Sequence, residues 1–146
     1  MKIFLIALTS LLSFGFFNTT LAQDKEFKSL AILIEKGAEQ TYPLARCAAL
    51  YLSMAQWAGE ERLGKQSYAN TLAVSRNLLD SLAKIRSSKG GGSEEETFAA
   101  GAREMGIIAQ IYLDRFEQNY ARTGQAWSSD KVWKEDLDLC KILTSK

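Results

Sequence analysis

The chain contains no histidine, and that absence alone removes most familiar catalytic sets. Ser-His-Asp and Cys-His nucleophile arrangements, histidine-bearing zinc sites, histidine-held haem and a proton switch near neutral pH all need an imidazole. The two cysteines, Cys47 and Cys140, are too far apart for a CxxC redox motif, and two thiolates without imidazole make a poor zinc site. Gly90-Gly91-Gly92 has neither the spacing nor the lysine of a phosphate-cradling loop, and no run of alternating Asp and Asn suggests a calcium loop. Carboxylates survive this pruning. Glu104, Asp114 and Glu117 fall on one long predicted helix. Glu104 and Asp114 are then separated by about 15 Å of helix rise, too far for the acid pair of a glycosidase. A pair would require Glu60 or Glu61 to converge on Glu104 from a turn, and nothing in the sequence demands it. No metal and no cofactor is expected. Whether the chain is an enzyme stays open, with the balance against it; a carboxylate-only hydrolase is the weakest of the readings.

The cysteines carry a more definite expectation. Two cysteines allow one intramolecular pairing, and in an oxidising compartment Cys47–Cys140 reads as a structural disulfide closing a loop of about ninety residues. Binding chemistry offers two further sets. Trp57, Trp127 and Trp133 all lie at or near predicted helix ends, where aromatic side chains can stay partly exposed and available to a protein partner. Tyr51, Met54, Met105, Ile108 and Tyr112 would line a small apolar ligand site between helices, although residues of these types at helical spacing usually form an ordinary core. A closed apolar cavity would favour the ligand, and an apolar surface patch the partner.

The elements that position these residues read as helices throughout. There is one proline, Pro43, good helix formers dominate, and strand-like alternation is missing. A first helix is expected over about Asp24 to Lys36, with Phe27, Leu30, Ala31 and Ile34 inward and Gly37 as its stop. Thr41-Tyr42-Pro43 opens a second helix, whose stripe is Leu44, Cys47, Ala48, Tyr51, Met54 and Ala55. Arg46 lies off that stripe and is expected to pair with Asp136 or Asp138. Gly59 to Gly64 reads as an exposed turn. A third helix follows over about Lys65 to Arg86, and a loose loop over Ser87 to Gly92. Ser93 with Glu96 forms a capping box, which explains the acidic run Glu94 to Glu96 at a helix N-terminus. The fourth helix, about Glu94 to Tyr120, carries Phe98, Met105, Ile108, Tyr112 and Phe116 on one stripe. Beside them runs a small-residue stripe of Ala99, Ala102, Gly106 and Ala109. Gly101 and Gly106, costly inside a helix, suggest close approach of another helix, or, for Gly106, room for a ligand. A last helix starts from Ser128-Ser129-Asp130 and turns Val132, Trp133, Leu137, Cys140 and Leu143 inward. The fold class expected is all-α, a four- to five-helix bundle, mostly antiparallel, pinned by one disulfide.

The N-terminal residues set the address. Met1-Lys2 supplies a positive start, Ile3 to Phe17 is almost wholly apolar, and Thr20 and Ala22 are the small residues read before a signal-peptidase cut. The apolar run of about fifteen residues falls short of the roughly 20 needed to cross a bilayer. Residues 1–22 are therefore expected to be a cleaved signal peptide and 23–146 a single helical domain. Gln23 stands where a lipoprotein would need cysteine. Cleavage removes Lys2 alone from 18 basic residues and leaves 17 against 17 acidic. That balance excludes the basic footprint of a nucleic-acid binder and a strongly basic face for anionic lipid. No later segment is long and apolar enough to span a membrane. The functional expectation is a small exported protein, periplasmic in preference to extracellular because its signal is short. Its role would be that of a non-enzymatic interaction module of the chaperone, inhibitor or assembly-factor type, with another exported protein as partner. The alternative is the binder of a small apolar ligand in the bundle core.

Overall fold

The computed structural model describes residues 27–145; the expected signal peptide and the start of the expected first helix lie outside them. The described residues form five helices and no strand: α1 (Leu30–Glu35), α2 (Tyr42–Leu63), α3 (Lys65–Ser88), α4 (Glu94–Thr123) and α5 (Lys131–Thr144). Helices α2, α3 and α4 pack against one another, α3 running antiparallel to the other two and α2 parallel to α4, and α5 lies against α2 and α1. Among the described residues no helix is long and apolar enough to cross a membrane.

Helix α2 is the centre of the molecule. Its residues Ala45 to Leu50 are buried without a break, so it is enclosed on every side rather than along one stripe. The alanines in this run let four neighbouring helices come close. Arg46, expected off the buried stripe, is 1% exposed, because α1 and α5 cover the face that would otherwise meet water. The disulfide joins Cys47 to Cys140 across this covered face, with Cα atoms 5.4 Å apart and both residues wholly buried.

Two glycines make the α2–α3 joint. Gly59 (φ 67°) interrupts α2, and Gly64 (φ 75°) turns the chain into α3. Both occupy left-handed conformations that a side chain would strain. Glu60 to Leu63, expected as an exposed turn, form one helical turn between them whose charged residues Glu60, Glu61 and Arg62 are exposed. At the other end of α3, the Ser93–Glu96 capping box is present in both directions, the Ser93 hydroxyl accepting from the Glu96 amide and the Glu96 carboxylate from the Ser93 amide.

Four sequence expectations need correction. Helix α1 starts at Leu30, not near Asp24, because Phe27 and Lys28 are committed elsewhere. The Phe27 ring lies 3.6 Å from the Arg46 guanidinium carbon, and the Lys28 carbonyl accepts from Arg46 at 2.9 Å, so tertiary contacts override helix propensity. Ile34, expected inward, is 47% exposed on so short a helix. The small-residue stripe of α4 is split: Ala109 is buried in the core and Ala102 half-buried, whereas Ala99 and Gly106 are exposed, and nothing approaches a Cβ built on Gly106. Gly106 therefore neither receives a helix nor opens room for a ligand. Gly101 does mark a close approach, with side chains and not backbone, since a Cβ there would sit 2.6 Å from Leu82 Cδ2 and 3.0 Å from Leu79 Cδ1. Leu143, expected inward, is 42% exposed, bordering a shallow surface hollow with Val74, Leu78 and Ser81 of α3 instead of entering the core.

Candidate functional site: an aromatic cleft at one end of the bundle

Three places gather chemically capable side chains, and they serve different ends. The first is buried beside the disulfide. Arg46 donates through Nη2 to Asp136 at 2.7 Å and through Nε to the Tyr112 hydroxyl at 2.7 Å. Tyr112 in turn donates to Asp136, and the second Asp136 oxygen accepts the Leu30 amide at 2.5 Å. Burial works against the Arg46 charge, but Tyr112 and Asp136 outweigh it and hold the guanidinium above its ordinary pKa. Burial likewise pushes the Tyr112 phenol well up, so it remains a donor. The remaining Arg46 donors reach the Lys28 carbonyl at 2.9 Å and the Tyr42 hydroxyl at 3.3 Å, so each member of the buried set has partners within the protein. Of the two acids expected for Arg46, Asp136 is the partner; Asp138 is exposed and faces Lys141 at 3.7 Å.

The second place lies where α3 ends and α4 begins. Arg86 donates to Glu104 at 2.8 Å, to Thr41 at 2.8 Å and to Glu39 at 3.2 Å. Burial would raise the Glu39 carboxyl, but the Thr41 hydroxyl and amide and Arg86 outweigh it and hold the group below its usual range. A carboxylate fixed as an anion by an arginine is poorly placed to donate a proton. Glu60 and Glu61 do not converge on Glu104. They stand in the last turns of α2, beside the start of α3, and Arg86 with Glu104 stands at the far end of α3, roughly 30 Å away by helix rise. Among the described residues no group of acids, cysteines or histidines could hold a metal ion.

The third place is the opposite end of the bundle, where the α2–α3 joint meets the α4–α5 turn. Phe116, wholly buried, is its base. Trp57 stands edge-on to Phe116, with ring centroids 6.1 Å apart, and edge-on to Tyr120 at 5.9 Å. Trp127 stands edge-on to Phe116 at 5.5 Å and stacks on Trp133 at 5.7 Å with planes 18° apart. Such offset and edge-to-face contacts each add about 0.5–1.5 kcal/mol to burial, so the rings are fixed rather than loosely draped. Between them opens a cleft of about 320 Å³ lined by Trp57, Ala58, Arg62, Leu63, Tyr120 and Trp127 among others. Trp57 and Trp127 are partly exposed and Tyr120 is 50% exposed.

The loop that carries Trp127 is held from beneath. Asn119, buried on α4, donates to the Ala126 carbonyl and to Asp130, each at 3.1 Å. Arg115 forks onto both Asp130 oxygens at 3.0 and 2.9 Å, and Asp130 caps α5 by accepting the Trp133 amide at 3.1 Å. Burial would raise the Asp130 carboxyl, but Arg115, the Trp133 amide and Asn119 outweigh it and hold it below its usual range. Gly124 ends α4 in a left-handed conformation, its amide donating to the Tyr120 carbonyl at 2.8 Å, and so sets the direction in which the loop leaves.

The structure brings Trp57 and Trp127 to one cleft and leaves Trp133 out of its lining. Trp133 is buried at 8% exposure because the first turn of α5 rotates it under Trp127. Its role at the cleft is to back Trp127. Tyr51, Met54, Met105, Ile108 and Tyr112 all belong to the hydrophobic core or pack against it. None of them borders this cleft, and Tyr112 is occupied by Asp136 and Arg46. Sequence reasoning missed Tyr120 and Arg62. Tyr120 could have been found one turn after Phe116 on the apolar stripe of α4, just before the Gly124 stop. Arg62 reads in the sequence only as one charge in a polar turn. Comparison of the chain with protein-family models, with curated proteins and with solved structures gives no match.

Proposed function

We propose that this protein is an exported, non-enzymatic interaction module that grips a segment of another exported protein in the Trp57–Tyr120–Trp127 cleft. The observation that carries the reading is the aromatic cleft itself: two tryptophans and a tyrosine left partly in water over a rigid, buried aromatic base. Large rings fixed at a surface supply contact area at little entropy cost on binding, and Trp and Tyr are the residues on which protein interfaces concentrate their energy. Export rests on the sequence of residues 1–22, and a periplasmic destination is favoured over an extracellular one by the brevity of that signal. A chaperone, an inhibitor or an assembly factor would each use such a cleft.

The test uses the protein lacking residues 1–22 as bait in extract from the native compartment, beside Trp127→Ala and Tyr120→Ser variants. Tyr120 is half exposed, so its replacement tests the cleft with little risk to the fold. Recovery of one protein by the parent chain, and its loss from both variants with unchanged circular dichroism, is the expected outcome. Equal recovery by all three proteins would overturn the reading.

A further inference from the structure

The cleft has a chemistry that narrows its occupant. Arg62 is the one charged residue along its lining. Arg46, Arg76, Arg86, Arg115 and Arg122 each bond a side-chain oxygen within the protein, whereas Arg62, like Arg103 outside the cleft, makes no hydrogen bond or ion pair with any described residue. The backbone N–H groups of Ala126, Trp127 and Ser128, in the loop that also lines the cleft, have no hydrogen-bond partner among the described residues. The lining thus combines aromatic rings, a free guanidinium and three loop residues with free amides. This is the complement of an apolar side chain carried next to a carboxylate.

Resting on the interaction reading above, we infer that the cleft takes the C-terminal residue of a partner chain. An aromatic or large aliphatic last side chain would lie among Trp57, Tyr120 and Trp127, and the free carboxylate would lie on Arg62 and the loop amides. A volume of about 320 Å³ suits a chain end better than a helix or a long peptide. Only at a chain end do an apolar side chain and a carboxylate branch from one Cα. Capture of a terminal carboxylate by backbone amides is an established mode of peptide recognition.

The probes are two acetylated pentapeptides ending in phenylalanine, one with a free C-terminal acid and one amidated, and a third with an internal glutamate beside phenylalanine and an amidated end. Binding is read from tryptophan emission and from amide chemical shifts. The free acid is expected to bind about tenfold more tightly than its amide, the scale of one charged hydrogen bond. Arg62→Gln should bring acid and amide level, and Arg62→Lys should restore part of the preference. Equal binding of acid and amide to the parent protein would overturn the inference, as would tighter binding of the internal glutamate. A preference unchanged by Arg62→Gln, or no binding of any peptide at millimolar concentration, would do the same. If partner recovery still depends on Trp127 and Tyr120 in those cases, the interaction reading survives and only the occupant is wrong.

Discussion

Arg46 and Asp136, separated by 90 residues in the chain, meet at 2.7 Å with side chains 1% and 0% exposed. Arg46 adjoins Cys47 on α2, and Asp136 lies one turn before Cys140 on α5. The ion pair and the disulfide therefore fasten the same stretch of α2 to the same stretch of α5. Asp136 also takes the Leu30 amide, so the pair ties in the first turn of α1, which has no side-chain cap of its own.

Removing one member of this pair should cost far more than a surface ion pair would. Arg46→Ala leaves the Asp136 carboxylate buried with only Tyr112 and one amide against it. Breaking a buried pair from one side typically costs about 3–5 kcal/mol. Arg46→Lys should recover less than half, because an ammonium cannot present the fork that serves Asp136, Tyr112 and the Lys28 carbonyl together. Urea denaturation checks both, and an unchanged midpoint for Arg46→Ala would contradict the account.

The disulfide should prove partly redundant with that pair. Replacing Cys47 and Cys140 by alanine frees a loop spanning 93 residues, and chain entropy for loops of that order sets an upper figure of about 4–5 kcal/mol. Because both links hold α5, losing the first already frees the helix that the second would hold. Adding Asp136→Asn to the disulfide-free protein should then cost less than the same change in the parent. A double-mutant cycle measures the difference, and strict additivity would show the two links to be independent.

The fold was largely legible in the sequence because helix periodicity, Pro43, the Ser93–Glu96 capping box and two cysteines are local or unique signals. The five helices and the Cys47–Cys140 bridge follow from them. What failed was burial where one helix is covered on all sides. The pattern of α2 implies one inward stripe, and only the placement of α1 and α5 buries Arg46. The cleft was half legible. Trp57 and Trp127 stand out by type and by their place at helix ends. Tyr120 and Arg62 join them only through the Gly59–Gly64 joint and the α4–α5 turn, contacts that no single helix pattern encodes. Trp133 resembles its two fellows in sequence, and the rotation of α5 alone sends it inside.

The two glycines inside α4 should respond to alanine with opposite signs. At Gly106 nothing lies within 4 Å of the new Cβ and the helix gains propensity, so Gly106→Ala should stabilise by roughly 0.5–1 kcal/mol. At Gly101 the new methyl would meet Leu82 Cδ2 at 2.6 Å and Leu79 Cδ1 at 3.0 Å. Leu82 is wholly buried and Leu79 nearly so, so neither can swing aside freely. Overpacking of this kind costs about 1–3 kcal/mol, which exceeds the propensity gain. Thermal unfolding of the two variants side by side decides it: a stabilised Gly101→Ala protein would mean that α3 and α4 separate more easily than their packing implies.

Asp130 should write part of the acid limb of the stability curve. Its folded-state carboxyl is held below its ordinary range by Arg115, the Trp133 amide and Asn119, against a burial effect that would raise it. A group depressed on folding contributes its full stability above its unfolded pKa, and loses it as pH falls through the folded value. Glu39 acts in the same direction at the other end of the bundle, so Asp130 is isolated by difference. Asp130→Asn should lower stability at neutral pH, where the Arg115 fork is lost, and should flatten the decline on acidification relative to the parent. Because Asp130 and Asn119 together hold the loop beneath Trp127, the emission of Trp127 should shift in the parent over the same acid range and not in the variant. Chemical denaturation repeated across that range, with emission recorded before denaturant is added, tests both. An acid limb of equal steepness in the two proteins would place the titrating group elsewhere and leave the Trp127 loop held by packing alone.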